Sequence, residues 1–235
     1  NSRDFRDLSP HLATSRQVIC PNFRGRGLSQ WDSNTANYQP QIYVQDIVSL
    51  LRHTNTRRVI VVGTSLGGIV AAGLFQKSPE IIAGIVLNDI GPVIDPKGLE
   101  RITSSIGRDP HWADWNAAAA ALKAKDAVVY PDFTDDQWLD YAEKTCRIND
   151  QGVVVKDYDP AIAKAFEGSV TDLDLWPLFQ CLEPLPLLLL RGELSDLLSA
   201  ETANTMAAKL PNLELITIAG CGHVPTLSEP EALYA

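Results

Sequence analysis

The chain has 235 residues, of which 45% are hydrophobic and 21% charged, and its formal net charge at pH 7 is -9. This composition suits one sizeable globular domain with room for an inserted subdomain, and the acidic balance disfavours nucleic acid as a partner. No apolar run reaches the roughly 18 residues of a membrane-spanning helix, so we expect no membrane segment. Four scattered cysteines without close pairing favour free thiols, no metal site and a cytoplasmic location.

The first part of the chain predicts an alternation of helix and strand. Apolar residues recur at helical spacing in residues 4–13 and 38–51, and residues 17–20 are expected to form a strand. The glycine-rich loop at residues 24–29 contains two arginines but lacks the Lys-Ser/Thr ending of a phosphate-binding loop. We therefore expect these arginines to be held in local hydrogen bonds rather than to bind phosphate.

A strand, a sharp turn and a helix follow in the next segment. Residues 59–62 are all β-branched, which predicts a strand buried on both faces, and an apolar helix rich in alanine begins near residue 69. Between them, Gly-Thr-Ser-Leu-Gly at residues 63–67 has the pattern and the context of a nucleophile elbow. The alternative is a glycine-rich turn with an incidental serine.

The elbow pattern suggests a role for each of its residues. Ser65 is the candidate nucleophile, and because it sits on a strained turn we expect small residues to be required on both sides, at Gly63 and Gly67. Leu66 begins the helix, where unpaired backbone N–H groups point at any developing anion. Its N–H is therefore a candidate oxyanion donor.

The strand pattern continues at residues 82–87 and returns at residues 185–190 and 213–218. Alternation with helices predicts a mostly parallel, doubly wound α/β sheet. Ser199 is expected to cap the helix that follows the strand at 185–190.

The segment between the strands predicted at residues 82–87 and 185–190 has a different character. Residues 95–174 concentrate tryptophan and tyrosine and lack a buried-strand pattern, so we expect a helical insertion, with residues 152–155 as a short exposed extended piece. The predicted organisation is a core of residues 1–94 and 175–235 with an inserted helical cap at residues 95–174.

A serine nucleophile needs a base, and the base needs a carboxylate that orients it. Of the four histidines, only His223 follows a predicted sheet strand, where catalytic groups gather in open α/β sheets. The carboxylates that follow strands are Asp89, Glu193 and Asp196. We favour Asp196, because the chain order Ser65, Asp196, His223 is that of an α/β-hydrolase triad, and Asp89 is the alternative.

Four motifs combine along the chain. They are Arg-Gly-x-Gly-x-Ser at 24–29, Gly-Thr-Ser-Leu-Gly-Gly at 63–68, Gly-x-x-Ser-Asp at 192–196 and Gly-x-Gly-His-x-Pro at 220–225. Together they resemble the α/β-hydrolase superfamily, and most closely its small bacterial capped esterase and lipase-like members. The resemblance covers essentially the whole chain.

The resemblance implies a Ser-His-Asp acyl-enzyme mechanism without a cofactor. Ser65 would attack a carbonyl, His223 would move the proton and Asp196 would fix the imidazole tautomer. The insertion resembles the cap that covers the active site in this superfamily. Candidates to line a pocket for the acyl or leaving group are Trp112, Trp115, Trp138 and Val224. The alternative is that the tryptophans form the core of the cap itself.

Two departures from the superfamily stand out. Asn22 occupies a position where its members usually have Asp, which we expect to alter a structural hydrogen bond. Members also begin with three further strands, of which the third lies between those expected at residues 17–20 and 59–62 and leads to a second oxyanion donor. We therefore expect that donor upstream of Asn1, and an incomplete chain whose missing part is upstream sequence or a separate polypeptide.

The leading functional prediction is hydrolysis of a small-molecule carboxylic ester. An enzymatic alternative is cleavage of a carbon–carbon bond in a vinylogous dioic acid, whose negative charges Arg101, Arg108 and Arg147 would bind. A third possibility is a non-catalytic small-molecule sensor that uses the same pocket. The sequence does not determine the oligomeric state, and a homodimer is left open.

Overall fold

The computed structural model describes residues 1–166 and 174–234. The α-helices are α1 (Leu8–Ala13), α2 (Pro40–His53), α3 (Leu66–Lys77), α4 (Pro96–Thr103), α5 (Trp115–Asp126), α6 (Asp135–Thr145), α7 (Trp176–Gln180), α8 (Ala200–Lys209) and α9 (Pro230–Leu233). The strands are β1 (Val59–Thr64), β2 (Ile82–Asn88), β3 (His111–Trp112), β4 (Cys146–Ile148), β5 (Val154–Lys156), β6 (Leu187–Gly192) and β7 (Leu213–Ile218). Short 3-10 helices span Ser2–Phe5, Thr35–Asn37, Pro79–Ile81 and Pro160–Phe166. Residues 167–173 of the predicted cap and Ala235 lie outside the described residues.

The main sheet has the order β1-β2-β6-β7, and every neighbouring pair is parallel. Parallel neighbours require crossover connections, and α3 and α8 supply two of them. The long connection from β2 to β6 carries the predicted insertion. The predicted parallel α/β sheet is thus confirmed, and the carboxyl ends of all four strands lie along one edge.

Alternate residues of each strand contribute to two different apolar clusters. Ile85 and Leu87 of β2 are almost fully buried in a cluster with residues of α2, α3, α7 and α8. The intervening Val86 packs on the opposite side, against a second cluster that also contains residues of α5 and α6. This period of two follows from the pleat of a strand and places α2, α3, α7 and α8 on one face of the sheet and α5 and α6 beside the other.

Side-chain caps define where several helices begin. The carboxylate of Asp114 accepts a hydrogen bond from the Ala117 N–H at the start of α5, and Thr134 forms a reciprocal capping box with Gln137 at α6. The Ser199 hydroxyl accepts from the Thr202 N–H, so the predicted cap of α8 is confirmed. These short polar side chains satisfy backbone donors that a helix leaves unpaired.

The insertion is not purely helical. Besides α4, α5 and α6 it contains an antiparallel sheet with the order β3-β5-β4. The extended conformation predicted within residues 152–155 is found in β5, but the predicted exposure is wrong, because Val154 and Val155 are only 1% and 4% exposed and pair with strands on both sides. Strands of two or three residues are too short to produce a recognisable alternation, and β3 lies far from β5 in the sequence.

Strand β1 lies at one edge of the described sheet. The prediction that it is buried on both faces is wrong for Ile60, which is 52% exposed. Residues 17–20 form no strand and do not pair with β1. Extended conformation persists as a strand only where a neighbouring ladder satisfies its backbone groups, and within the described residues that segment has no such ladder.

The arginines of the loop at residues 24–29 are held locally, as predicted. Arg24 donates two hydrogen bonds to Asp46, of 2.8 and 2.6 Å, and also contacts Asp32. Arg26 donates to the Tyr43 hydroxyl at 3.1 Å. These contacts stabilise the loop against α2 and leave both guanidinium groups hydrogen-bonded within the protein.

Across residues 1–166 and 174–234, no helix combines the length and apolarity needed to cross a membrane.

Candidate active site

Ser65 lies at the turn between β1 and α3, immediately before the first residue of that helix. Its φ of 49° and ψ of -116° place it in a strained region that a serine rarely adopts. The turn is fixed by two backbone hydrogen bonds: the Ser65 N–H donates to the Asn88 carbonyl at 3.0 Å, and the Ser65 carbonyl accepts from the Gly68 N–H at 2.8 Å. The predicted strand, turn and helix therefore carry Ser65 to the carboxyl edge of the sheet.

His223 follows β7 and reaches the serine. Its Nε2 lies 3.0 Å from Ser65 Oγ, and its Nδ1 lies 2.8 Å from Asp89 Oδ2. The imidazole is 5% exposed and the Asp89 side chain is fully buried. Because the Asp89 carboxylate accepts a hydrogen bond from Nδ1, the neutral imidazole carries its proton on Nδ1. The lone pair of Nε2 is then directed at the serine hydroxyl.

Asp89 stands where Asp196 was expected. It follows β2 with a φ of 54°, a conformation that Asp tolerates better than most residues. Its Oδ1 accepts a hydrogen bond from the Gly192 N–H at 2.9 Å, and its Oδ2 accepts from the Ser195 hydroxyl at 2.6 Å. These donors compensate the burial of the carboxylate and orient it toward the imidazole.

The choice of Asp196 is contradicted by its contacts. Arg101, on α4, donates through Nε and Nη2 to the two carboxylate oxygens of Asp196, at 2.6 and 2.7 Å. This paired guanidinium holds the pKa of the Asp196 carboxyl below its usual value. Asp196 therefore binds Arg101 of the insertion and forms no hydrogen bond with His223. The alternative carboxylate, Asp89, lies beside the imidazole.

Ser195 is a residue that the sequence interpretation missed. Besides donating to Asp89, its hydroxyl accepts hydrogen bonds from the N–H groups of Leu197 and Leu198, at 3.3 and 3.0 Å. The Gly-x-x-Ser-Asp motif drew attention to this turn, but through its aspartate. A serine whose hydroxyl accepts hydrogen bonds from its own turn is fixed in place and can donate to a nearby carboxylate, and this was the available signal for Ser195.

Ser65 and His223 open onto a cavity of about 260 Å³. Among the residues that line it are Arg101, Lys125 and Lys156 from the insertion, and Val224 next to the histidine. Val224 thus lies at this cavity and Trp112 at an adjacent cavity of about 200 Å³, and a role of either residue in binding substrate stays a prediction. Trp115 and Trp138 line neither of these two cavities.

Trp138 instead belongs to an aromatic cluster inside the insertion. It is 2% exposed and makes edge contacts with Tyr130, Phe133 and Tyr141, with ring centroids 6.0, 5.2 and 5.7 Å away. Trp115 packs against the second apolar cluster described above, to which Trp138 also belongs. The alternative interpretation of these two tryptophans, as core of the insertion, is the one that their contacts support.

The three arginines considered for a dioic acid are in different places. Arg101 lines the cavity at Ser65 and is paired with Asp196, Arg108 lines the adjacent cavity, and Arg147 lies 3.4 Å from a carboxylate oxygen of Asp157.

Within the described residues, no group of three or more His, Cys, Asp or Glu side chains is arranged to hold a metal ion.

The whole chain, residues 1–235, matches the Alpha/beta hydrolase family. The chain belongs to the α/β-hydrolase family. It is 31% identical to the 3-hydroxybutyrate-oligomer hydrolase of Cupriavidus necator, over 97% of this chain and 80% of that protein. It is 27% identical to the 2-(acetamidomethylene)succinate hydrolase of Mesorhizobium japonicum, over 98% of this chain and 80% of that protein. An α/β-hydrolase structure from Novosphingobium aromaticivorans matches with a TM-score of 0.95 and 44% identity, over 100% of this chain and 83% of the other.

The two glycines of the hydrolase's elbow differ in how closely they are packed. A Cβ on Gly63 would lie 2.5 Å from the Gly67 carbonyl oxygen, which supports the predicted need for a small residue there. A Cβ on Gly67 would meet no described atom within 4 Å outside its own helix turn, so the expected steric requirement is absent. Gly68 is the second crowded position, since its Cβ would meet Ile90 at 2.3 Å.

Substitution of these glycines should therefore have opposite effects on stability. We expect Gly63→Ala to lower the free energy of unfolding by about 1–3 kcal/mol, because the new methyl group overpacks the elbow. Gly67→Ala lies in a helix and should be neutral, or should raise that free energy by as much as about 1 kcal/mol. Urea unfolding of the two variants measures both changes, and an equally large loss for Gly67→Ala would contradict the assignment.

Two contacts from the insertion support the loop that carries His223. The Tyr130 hydroxyl donates to the Val224 carbonyl at 2.6 Å, and the Gly222 N–H donates to the Val129 carbonyl at 2.6 Å. Burial raises the pKa of the Tyr130 hydroxyl, so it remains a neutral donor. The position of His223 thus depends on residues distant in sequence as well as on β7.

Cys221 lies two residues before the histidine and is only 6% exposed. Burial raises the pKa of its thiol to about 12, so the reactive thiolate is scarce near neutral pH. We expect Cys221 to resist iodoacetamide at about pH 8 in the folded hydrolase and to react after unfolding in urea. Peptide mapping by mass spectrometry distinguishes the two states, and rapid modification of the folded protein would show that the thiol is accessible.

Proposed function

We propose that this hydrolase cleaves small carboxylic esters through an acyl-enzyme formed on Ser65. The observation that carries the proposal is the continuous chain of contacts from the buried Asp89 through His223 to Ser65, with distances of 2.8 and 3.0 Å. A nucleophile, a base and a group that orients the base are the three parts required for serine catalysis, whatever their order in the sequence.

The geometry supports a two-step reaction. His223 Nε2 accepts the Ser65 proton while Oγ attacks the ester carbonyl, and the resulting imidazolium is stabilised by the Asp89 carboxylate. Collapse of the tetrahedral intermediate breaks the bond to the alcohol, which receives the proton from Nε2. A water molecule then attacks the acyl-enzyme by the same proton route, releasing the carboxylic acid and restoring the Ser65 hydroxyl.

Leu66 is the proposed first donor of the oxyanion hole. As the first residue of α3 it follows the nucleophile directly, and its N–H is among those that the helix leaves without an intrahelical partner. The positive end of the helix dipole favours the negative charge that develops on the carbonyl oxygen during attack. The second donor stays a prediction.

The relatives indicate which substrates to test first. The Cupriavidus necator relative is named for the hydrolysis of 3-hydroxybutyrate oligomers, whose units are joined by ester bonds. We therefore propose short esters of hydroxy acids as starting substrates. The dioic-acid alternative is less well supported, because Arg101 and Arg147, two of the three arginines that it needs, are already paired with carboxylates.

We also propose that the insertion acts as a cap, with its described part at residues 95–166. Residues of α4 and α5 line the cavity together with Ser65 and His223, and the Arg101–Asp196 pair joins the insertion to the loop after β6. A substrate in this cavity would contact both parts, so the insertion would set the substrate preference.

A fluorophosphonate probe tests the acyl-enzyme route. We expect the folded hydrolase to gain one probe adduct on the peptide that contains Ser65, and 4-nitrophenyl esters of increasing acyl length to compete with labelling. Heat-denatured protein is the control, because labelling that survives loss of the fold would not report an activated serine. Failure of the folded protein to label, together with no release of 4-nitrophenol, would refute the proposed function.

A further inference from the structure

The cavity next to the proposed catalytic site is strongly basic. It has a volume of about 200 Å³, its lining includes Arg108, Lys125 and Lys156, and none of its described lining residues is Asp or Glu. It shares Ser105, Lys125 and Lys156 with the cavity onto which Ser65 opens, so the two spaces meet at these residues. Such a concentration of positive charge is unexpected in a chain with a formal net charge of -9.

Two cations at this junction are matched by acidic neighbours. The Arg101 guanidinium is bound by both carboxylate oxygens of Asp196. Lys125 Nζ lies 3.5 Å from Asp126 Oδ1, and Arg101 Nη1 approaches the same oxygen at 3.8 Å. Asp126 Oδ1 is buried and accepts no hydrogen bond within the described residues, so it acts on these cations only through its charge.

Lys156 is different. It ends β5, and its ammonium lies 5.8 Å from the centre of the Trp112 ring. Within residues 1–166 and 174–234, its ammonium forms no ion pair and no hydrogen bond, and the charge of Asp126 acts on it only from beyond ion-pair distance. Burial lowers the pKa of this ammonium and the charge of Lys125 lowers it further, whereas the charge of Asp126 acts in the opposite direction.

We propose that Lys156 binds a carboxylate at the end of the substrate remote from the scissile ester. The proposal rests on the ester hydrolysis proposed above and narrows its substrates to anionic esters, such as short hydroxy-acid oligoesters with a free acid end. With the ester at Ser65, the acid end reaches the junction of the two cavities, where Lys125 adds positive charge and beyond which Arg108 lines the second cavity. The Trp112 ring supplies an apolar wall beside the ammonium.

Electrostatics explains why this site would favour an anion. An ammonium that is partly removed from water and has no carboxylate in direct contact is destabilised, and a bound carboxylate reduces that penalty. A charge-assisted hydrogen bond between the two groups also fixes the distance from the acid end to the reacting carbonyl. A neutral ester of the same length gains neither effect.

Two pairs of esters test the proposal, each differing only by one negative charge. The first is mono(4-nitrophenyl) glutarate and its methyl ester, which places the charge on the acyl side. The second is the dimer of 3-hydroxybutyrate and its methyl ester, which places it on the leaving group. We expect Lys156→Met to lower kcat/KM for the charged member of at least one pair by about 10- to 100-fold, and to leave the neutral members within about twofold.

Controls separate this proposal from the proposed function. Lys97→Met removes an exposed lysine that lines neither cavity, and it should leave kcat/KM for all four esters unchanged. Lys156→Arg keeps the charge and should retain most of the preference. If Lys156→Met affects charged and neutral members equally, or neither, the carboxylate site is refuted while ester hydrolysis stands; if the wild type cleaves no ester, the proposed function itself has failed.

A binding measurement does not depend on catalysis. Glutarate should raise the thermal unfolding midpoint of the wild type and shift that of Lys156→Met much less, since a ligand stabilises only the state that binds it. Should Lys156→Met fold poorly, Arg108→Gln, at an exposed residue of the same cavity, should weaken the glutarate effect without that complication. Equal shifts in the wild type and the folded variant would overturn the proposal.

Discussion

Asp89→Asn should reduce kcat/KM for a 4-nitrophenyl ester by about 1,000- to 10,000-fold. Asn fits the same backbone conformation, with its positive φ, and has the same size, so the fold should be kept. Its amide, however, would present an N–H to the imidazole and favour the tautomer with the proton on Nε2. That ring could no longer accept the Ser65 proton, so the chemical step rather than substrate binding would be lost.

Asp196→Asn is the matched control, since it makes the same chemical change at the other candidate carboxylate. It removes one charge from a pair with Arg101 but leaves the 2.8 Å contact between His223 and Asp89 intact. We therefore expect kcat to stay within about tenfold of the wild type, with any larger effect confined to KM because Arg101 lines the cavity. If Asp196→Asn were the more damaging of the two, the assignment of Asp89 would be wrong.

The sequence was sufficient to predict the elements that bring Ser65 and His223 to one edge. Both follow strands of a parallel sheet, and parallel strands end along the same edge. Local composition also predicted β2, β6, β7 and the cap of α8, because buried β-branched or leucine-rich runs and an N-terminal Ser leave strong local patterns.

The choice between two carboxylates depended on contacts that no local pattern contains. Asp89 and Asp196 both follow strands, β2 and β6, which are neighbours in the sheet. What distinguishes them is Arg101, which comes from α4 and binds Asp196, and the Gly192 N–H, which binds Asp89 across the adjacent strand. Chain order in related hydrolases favoured Asp196, but a triad is defined by geometry rather than by order.

Local sequence patterns also did not predict the internal structure of the insertion. Its strands have two or three residues, and the pairing of β5 with β3 joins segments that are separated by α5 and α6. Lys156 becomes notable only after this pairing places it between the two cavities. A lone lysine at the end of a short valine-rich run otherwise indicates only a solvated side chain.

Ser65→Ala should lower kcat for 4-nitrophenyl ester hydrolysis by about 100,000- to 1,000,000-fold, the largest loss that we expect from any single substitution. The change deletes Oγ, which lies 3.0 Å from His223 Nε2 and forms the covalent intermediate in the proposed mechanism. Cavity shape is almost unchanged, so the affinity for a non-hydrolysed ester analogue should persist and separate loss of chemistry from loss of binding.

Ser105→Ala is the control for Ser65→Ala, because it removes a serine hydroxyl from the lining of the same cavity. The Ser105 hydroxyl donates to the Ile102 carbonyl within its own segment, at 3.0 Å, and has no contact with the imidazole. Its loss should change kcat by no more than a few-fold, roughly the effect of one neutral hydrogen bond. A residual burst of 4-nitrophenol from Ser65→Ala, equal in amount to the enzyme, would place the acyl group on another residue. The contact chain from Asp89 to Ser65 would then describe a packing arrangement and not the route of the proton.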